Sequence, residues 1–320
     1  MADLRLPASA PFDVVGFGFN TYDHVCLVAR APAFDAKQRL IEYRLQPGGQ
    51  VPTALVALQR WGLRTAYVGP FGDDAGGRLQ RASLEAEGVD VRATRLRSGV
   101  ASQTSVILVD AASGSREVLW QRPDGLALGA DELDRDALVG GKILLMDADD
   151  IDTAIIAARW AKNAGVVVVL DVDVPGPRTL ELLRFSDVAI VTDGFPQELA
   201  GTPSLRDALL RMADMGPTIV AATCGGRGAV AYARRARSGR AEDRGGWYDV
   251  EAFPVQAVDT TSAGDLFHAG FIFGLLREWQ LPAIWRFAAA AAALECTQLG
   301  GRAAIPSLAA ALALARPSPE

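Results

Sequence analysis

Residues 143–191 read ILLMDADDIDTAIIAARWAKNAGVVVVLDVDVPGPRTLELLRFSDVAIV, and the fold class turns on how this stretch alternates. The aliphatic runs 143–146, 166–170 and 188–191 are strand-length with no polar alternation, which predicts strands buried on both faces. Between them, 152–163 and 177–184 predict helices. Strand, helix, strand, helix, strand is the form taken by βαβ units, a parallel sheet with helices packed on its faces. The rhythm continues toward the N-terminus. A strand from 12 runs into a glycine-punctuated turn, a helix over 53–61 closes at Gly62, a short strand covers 66–68, and a helix over 78–87 ends at Gly88. Toward the C-terminus, a helix near 205–215 precedes a strand at 218–222. Strands at 229–233 and 247–253 flank a polar loop, 234–246, whose five arginines predict a solvated, mobile segment. Helices over 262–278, 282–299 and 307–315 complete the chain.

Two excursions, about 20–46 and 100–122, break the rhythm. Their runs have mixed polarity, suiting strands with one wet face, and Asp110-Ala-Ala-Ser-Gly-Ser115 is a hairpin signal. The predicted architecture is a single α/β domain over 1–320. It has a three-layer α/β/α core with a mostly parallel sheet, and a small antiparallel lid built from the two excursions. Such a lid can close over a substrate and exclude water.

Composition narrows the function. The 320 residues are 50% apolar with a formal charge of −6, which supports a large buried core and argues against nucleic acid or an anionic membrane as partner. Cys26, Cys224 and Cys296 are too few and too scattered for a disulfide framework or a zinc site. The longest apolar runs fall well short of a membrane span, and no signal-peptide pattern precedes the first strand. A cytoplasmic setting is expected. There is no GxxxxGK[ST], because Gly140-Gly141-Lys142 is followed by Ile143, and no GxSxG, HExxH or complete GxGxxG. With only His24 and His268, a histidine-based triad or metal cluster lacks material.

The segment that carries chemistry is Asp259-Thr-Thr-Ser-Ala-Gly-Asp265. Ser262, Ala263 and Gly264 open a helix at a point where free N–H groups and the helix dipole favour an anion. Asp265 sits in the first turn beside them. A carboxylate next to an anion hole is what phosphoryl transfer to an alcohol needs: donors hold the moving group and the acid accepts the hydroxyl proton. The same residues also suit an N-cap by Thr261 or Ser262, with Asp265 complementing the dipole. His268, one turn later, reads as a satisfied helix residue.

This segment resembles the DTTGAGD signature of the ribokinase-like (PfkB) carbohydrate kinases, with Ser262 in place of the first glycine. Three further matches fall in the same order. Pro47-Gly48-Gly49-Gln50 resembles the family's GGN segment. Val68 to Gly76 with Glu87-Gly88-Val89-Asp90 resembles its VGxxGDDxxG…EGVD stretch. Thr223-Cys-Gly225-Gly-Arg-Gly228 resembles its TxGxxG nucleotide loop.

The resemblance spans nearly the whole chain and implies a ribokinase-like fold and a kinase using ATP and Mg²⁺. Asp265 would be the base, with the 262–264 amides as its anion hole. Thr223, Gly225 and Gly228 would line the ATP site. Asp23, Gly48, Gly49 and Gln50 would meet the acceptor sugar. Asp259 and Thr261 match positions that hold a monovalent cation, K⁺, in some members.

Two departures stand out. Gln50 replaces the family asparagine, and the NxxE acid is absent from Thr192-Asp-Gly-Phe195, leaving Asp193 or Asp171 as substitutes. The second departure and the Ser115-Arg116 and Trp120-Gln-Arg122 pairs lean toward the ketohexokinase or fructose-type branch, with Arg122 as a substrate contact. Relatives of this type commonly pair their lids in a homodimer. The expected acceptor is a sugar's primary hydroxyl. The alternatives are a nucleoside, a sugar phosphate, or a non-catalytic sugar-binding regulatory role. Phe17, Phe19 and Tyr22 beside Asp23 are candidates to meet a base, and equally suit packing in the core.

Overall fold

The computed structural model describes residues 4–176, 178–234 and 245–316; most of the arginine-rich loop, and Pro177 of the predicted 177–184 helix, lie outside the described residues. Eight strands form the main sheet, in the spatial order Thr65–Val68, Phe12–Phe17, Gly141–Met146, Val167–Val172, Val188–Thr192, Ile219–Thr223, Ala229–Ala233, Gly246–Val250. The first six run parallel, Ala229–Ala233 is antiparallel to Ile219–Thr223, and Gly246–Val250 is antiparallel to Ala229–Ala233.

Alternate side chains of these strands enter two separate cores. Val14, Ile143, Leu145, Val167, Val169 and Ile190 face one layer, containing the helices Gln50–Arg60, Ala263–Leu276 and Leu281–Glu295. Val15, Leu144, Met146, Val168, Leu170 and Val191 face the other, with Ile151–Asn163 and Leu205–Met215. Burial on both faces is why these strands read as unbroken aliphatic runs.

The two excursions form a second sheet in the order Glu42–Gly48, Thr21–Val28, Thr104–Asp110, Arg116–Gln121. Its outer pairs are antiparallel as expected, while its central pair runs parallel, from Tyr22 beside Thr104 to Val28 beside Asp110. Val25, Ile107, Val109 and Leu299 give the lid its own small core.

Local boundaries moved where backbone geometry overrode propensity. The helix expected from 53 begins at Gln50, because Gly49, with φ of 97°, turns the chain straight into it. No helix among the described residues is long and apolar enough to cross a membrane.

Candidate active site

At the carboxyl ends of the parallel strands, beneath the lid, lies a cavity of about 1120 Å³. This is where open α/β sheets place their ligands. Its wall brings together Asp23, Gly49, Gln50, Thr223, Gly225, Gly228, Thr261, Ser262, Ala263, Gly264 and Asp265. Gly48, Asp259 and Arg122 are not on that wall, and each has a different task.

The floor is the start of the helix Ala263–Leu276. Ser262 caps it in the left-handed conformation, φ 64° and ψ 6°, without a side-chain capping bond. That backbone region favours glycine, so Ser262 holds it at the usual cost of a side chain there. Room for its hydroxymethyl group comes from Gly301, where a Cβ would lie 2.3 Å from Ser262 Oγ. Beyond this cap, the Ala263 amide donates at 3.4 Å to Thr260 O, and the Leu266 amide at 3.0 Å to Ser262 O. The amides of Gly264 and Asp265 lie between them in the first turn, where a helix leaves its donors free.

Asp265 is 7% exposed, and burial, then the Asp171 charge, raises its pKa well above the usual carboxylate range. The Ser262 hydroxyl and His268 act in the opposite direction. Asp171 is likewise pushed well up by burial and by Asp173, and burial raises Asp173 as well. Gln50 joins this group: its Nε2 donates to Asp173 Oδ2 at 2.6 Å and to Asp171 Oδ1 at 3.3 Å. Its longer side chain thus reaches across to the acids of strand Val167–Val172.

His268 is fixed by acceptors on both ring nitrogens. Nδ1 lies 2.9 Å from Gly264 O and 3.4 Å from Asp171 Oδ2, while Nε2 faces Ile190 O at 3.1 Å and Leu170 O at 3.3 Å. It lies between the first turn of the helix Ala263–Leu276 and two strand ends.

At the lid end, Asp23 is 4% exposed, its Oδ1 has no partner, and burial lifts its pKa to about 6. It rests on Gly48, where a Cβ would fall 1.8 Å from Asp23 Oδ2. Arg302 grips the same turn from behind. Its Nη2 donates to Gly48 O at 3.1 Å, Nη1 to Ser83 Oγ at 3.1 Å and Nε to Thr53 Oγ1 at 3.3 Å, and its charge holds the Asp23 pKa down.

Arg122 departs from its expected substrate role. The lid strand ends at Gln121, and Arg122 turns toward acids, with Nη2 2.6 Å from Asp150 Oδ2 and Nε 3.2 Å from Asp149 Oδ2. Arg116, Val118 and Trp120 line the cavity instead, and Arg116 Nη1 donates to Thr260 Oγ1 at 3.0 Å.

Asp193 is also committed elsewhere, to Arg227 and to Gln197 Nε2. Asp259 is spent on two amides, accepting from Thr261 N and Gly300 N at 2.8 Å each, while Thr261 Oγ1 is buried with no partner. Cys224 stays a raised-pKa thiol, held up by burial.

Sequence reading missed Asp147, Asp149 and Arg302. The first two follow directly on strand Gly141–Met146, and acids at that edge of a parallel sheet are a usable signal. Nothing local marks Arg302, whose partners are more than 200 residues away.

The site thus combines a mostly parallel sheet, a covering lid and an acid beside Gly264 in the first turn of the helix Ala263–Leu276. A model of the pfkB family carbohydrate kinases matches residues 13–308, and the chain belongs to that family. It is 30% identical to the ATP-dependent ribose-1-phosphate kinase of Halopiger xanaduensis, over 91% of this chain and 94% of that protein. It is 28% identical to the ribokinase of Haemophilus influenzae, over 83% and 86% respectively. Arabidopsis thaliana ribokinase, solved with ribose and ATP, superposes with a TM-score of 0.77 at 23% identity, covering 96% of this chain and 99% of that one.

Proposed function

We propose that this carbohydrate kinase transfers the γ-phosphoryl group of ATP to a primary hydroxyl of a free sugar. The observation that carries the reading is Asp265, buried at the cavity wall in the first turn of its helix, where amides lack an intrahelical acceptor. Of the amides expected in the anion hole, that of Ala263 is taken by Thr260 O, which leaves the turn at Gly264 and Asp265 for the phosphoryl group. Asp265 takes the hydroxyl proton as the oxygen attacks. The first-turn amides and the helix dipole stabilise charge on the transferring group, and the lid excludes the water that would otherwise hydrolyse ATP. The raised pKa of Asp265 makes it a stronger base than an exposed carboxylate once ionised. Thr223, Gly225 and Gly228 line the same cavity and are the residues for ATP. Asp23, Gly48, Gly49 and Gln50 shape the acceptor end.

Mg²⁺ fits the crowded acids Asp171 and Asp173, whose mutual repulsion favours a cation. The described residues form no cluster of three or more metal-ligating side chains. Mg²⁺ is held through one or two carboxylates together with phosphates and water. When bound, it would neutralise phosphate charge. A K⁺ ion would draw on Thr261 Oγ1, the buried hydroxyl without a partner. The exposed lid side chains Tyr43, Leu45 and Leu119 suit a homodimer formed through the lid.

The test is ADP release by the purified chain with ATP and Mg²⁺ against ribose, fructose, other hexoses and nucleosides. Turnover on a sugar supports the reading. Turnover confined to nucleosides transfers it to a nucleoside kinase, and silence across the panel with ATP still bound favours a sugar-binding regulator.

A further inference from the structure

We propose that Arg302 is a positioning residue for the acceptor, joining the Gly48 turn to the cap of the helix Ala263–Leu276 and keeping the acid that rests on that turn charged. The role deepens the kinase reading and rests on it.

The segment 300–302 touches both ends of the site with three consecutive residues. The Gly300 amide donates to Asp259 Oδ2 at 2.8 Å, and a Cβ on Gly300 would lie 2.4 Å from Gln46 Oε1. Gly301 abuts the cap residue Ser262, where a Cβ would fall 2.3 Å from Oγ. Arg302 then crosses to the acceptor end, its Nη2 donating to Gly48 O at 3.1 Å. Gln46 and Gly48 belong to the lid strand Glu42–Gly48, whereas Asp259 and Ser262 lead into the helix. One short stretch of backbone and one side chain thus set the spacing between the two ends.

Arg302 is fixed on every side. It is 9% exposed, and its other donors meet two different helices: Nε on Thr53 Oγ1 at 3.3 Å in Gln50–Arg60, and Nη1 on Ser83 Oγ at 3.1 Å in Ala75–Ala86. Its carbonyl accepts from Arg60 Nη1 at 3.4 Å, and Arg60 is tied in turn to Glu87. The acceptors Gly48 O, Thr53 Oγ1 and Ser83 Oγ are all neutral. A buried guanidinium bonded to neutral oxygens leaves its field to the carboxylates nearby, which are Asp23, Asp265 and Glu87, with Arg60 opposing them.

Asp23 receives the consequence. Its cross-strand neighbours Gln46 and Ser105 are neutral, and Arg302 is the charge that favours its ionised form, helped by the Thr21 and Ser105 hydroxyls. Burial still lifts Asp23 to about 6, so a neutral residue at 302 leaves a carboxyl that takes its proton closer to neutral pH. Because Gly48 carries Asp23 at close approach, the same side chain sets where this acid stands and what charge it bears. An ionised carboxylate accepts a stronger hydrogen bond than a protonated one donates in its place.

The test combines kinetics with acceptor and ATP varied separately, and titration calorimetry of the sugar across pH with a non-hydrolysable ATP analogue. Arg302→Gln is expected to raise the acceptor KM at least about tenfold with the ATP KM within about twofold, and its acceptor affinity should begin to fall at least about one pH unit higher than in the parent. Arg302→Lys keeps the charge but not the planar fork, so its pH dependence should stay within about half a pH unit of the parent while the acceptor KM still rises. A residue that served packing alone would move both KM values together and leave the pH dependence in place, and either result overturns the proposal. Should Arg302→Gln not fold, Ser83→Ala decides: a rise of at least about threefold in acceptor KM alone supports the role, and an unchanged acceptor KM overturns it. If the parent turns over no acceptor, the kinase reading fails separately. Calorimetry then decides the role of Arg302, which is overturned if Arg302→Gln binds the sugar as tightly as the parent, or if the parent binds no sugar.

Discussion

Asp23 and Gly48 show how much a single missing methyl can control. The carboxyl of Asp23 occupies the space that a Cβ at residue 48 would need, 1.8 Å from Oδ2, so glycine here serves close approach. Gly48→Ala should displace Asp23 and raise the acceptor KM at least about tenfold, while the ATP KM moves less than about twofold, because Thr223 and Gly225 stand on elements other than the Gly48 strand. Steady-state kinetics with each substrate varied separately checks this. Equal changes in both constants would mean that the turn merely supports the fold. At this scale the sequence was partly legible. Asp265 and the paired glycines sit in recognisable segments, whereas Arg302 acts on Gly48 through a contact 254 positions away that no local pattern encodes.

The element of most consequence is the helix Ala263–Leu276 with its left-handed cap. Ser262 pays the usual cost of a side chain at positive φ, and Gly301 accommodates that side chain. The two positions are therefore coupled. Gly301→Ala should destabilise the chain by about 1–3 kcal/mol, as overpacking does. Ser262→Gly alone should be stabilising or neutral toward folding, by up to about 1 kcal/mol. The double variant should recover most of the loss, giving a coupling above about 0.5 kcal/mol in a denaturation cycle. Strict additivity would contradict the contact. The βαβ order was readable because strands buried on both faces leave aliphatic runs. The lid's parallel central pair was not, since strand pairing between segments some 80 residues apart leaves no local trace.

Among the described residues, the interior holds a carboxyl that the chemistry does not use. Glu295 is fully buried, neither oxygen has a partner, and burial, then the charges of Asp265 and Asp259, raise its pKa from 4.5 to about 9. Between those values the unfolded chain has lost the proton that the folded chain keeps. Stability therefore falls as pH rises through this window, by up to about 1.4 kcal/mol per unit, and levels off above about 9. Glu295→Gln removes the linkage, so its melting temperature should exceed that of the parent by a margin that widens from pH 5 to about 9. A constant margin would show that the carboxyl is solvated or paired. Lid, sheet edge and helix terminus converge on one cavity, with Asp265 at its floor. The most direct measurement is initial-rate ADP release by Asp265→Asn at saturating ATP, Mg²⁺ and the best acceptor, with ATP affinity measured on the same preparation. Loss of the base should lower kcat by about 10²–10⁴-fold while ATP binding stays within about twofold. A variant that retains more than about a tenth of the parental kcat would contradict the assignment of Asp265 as the base.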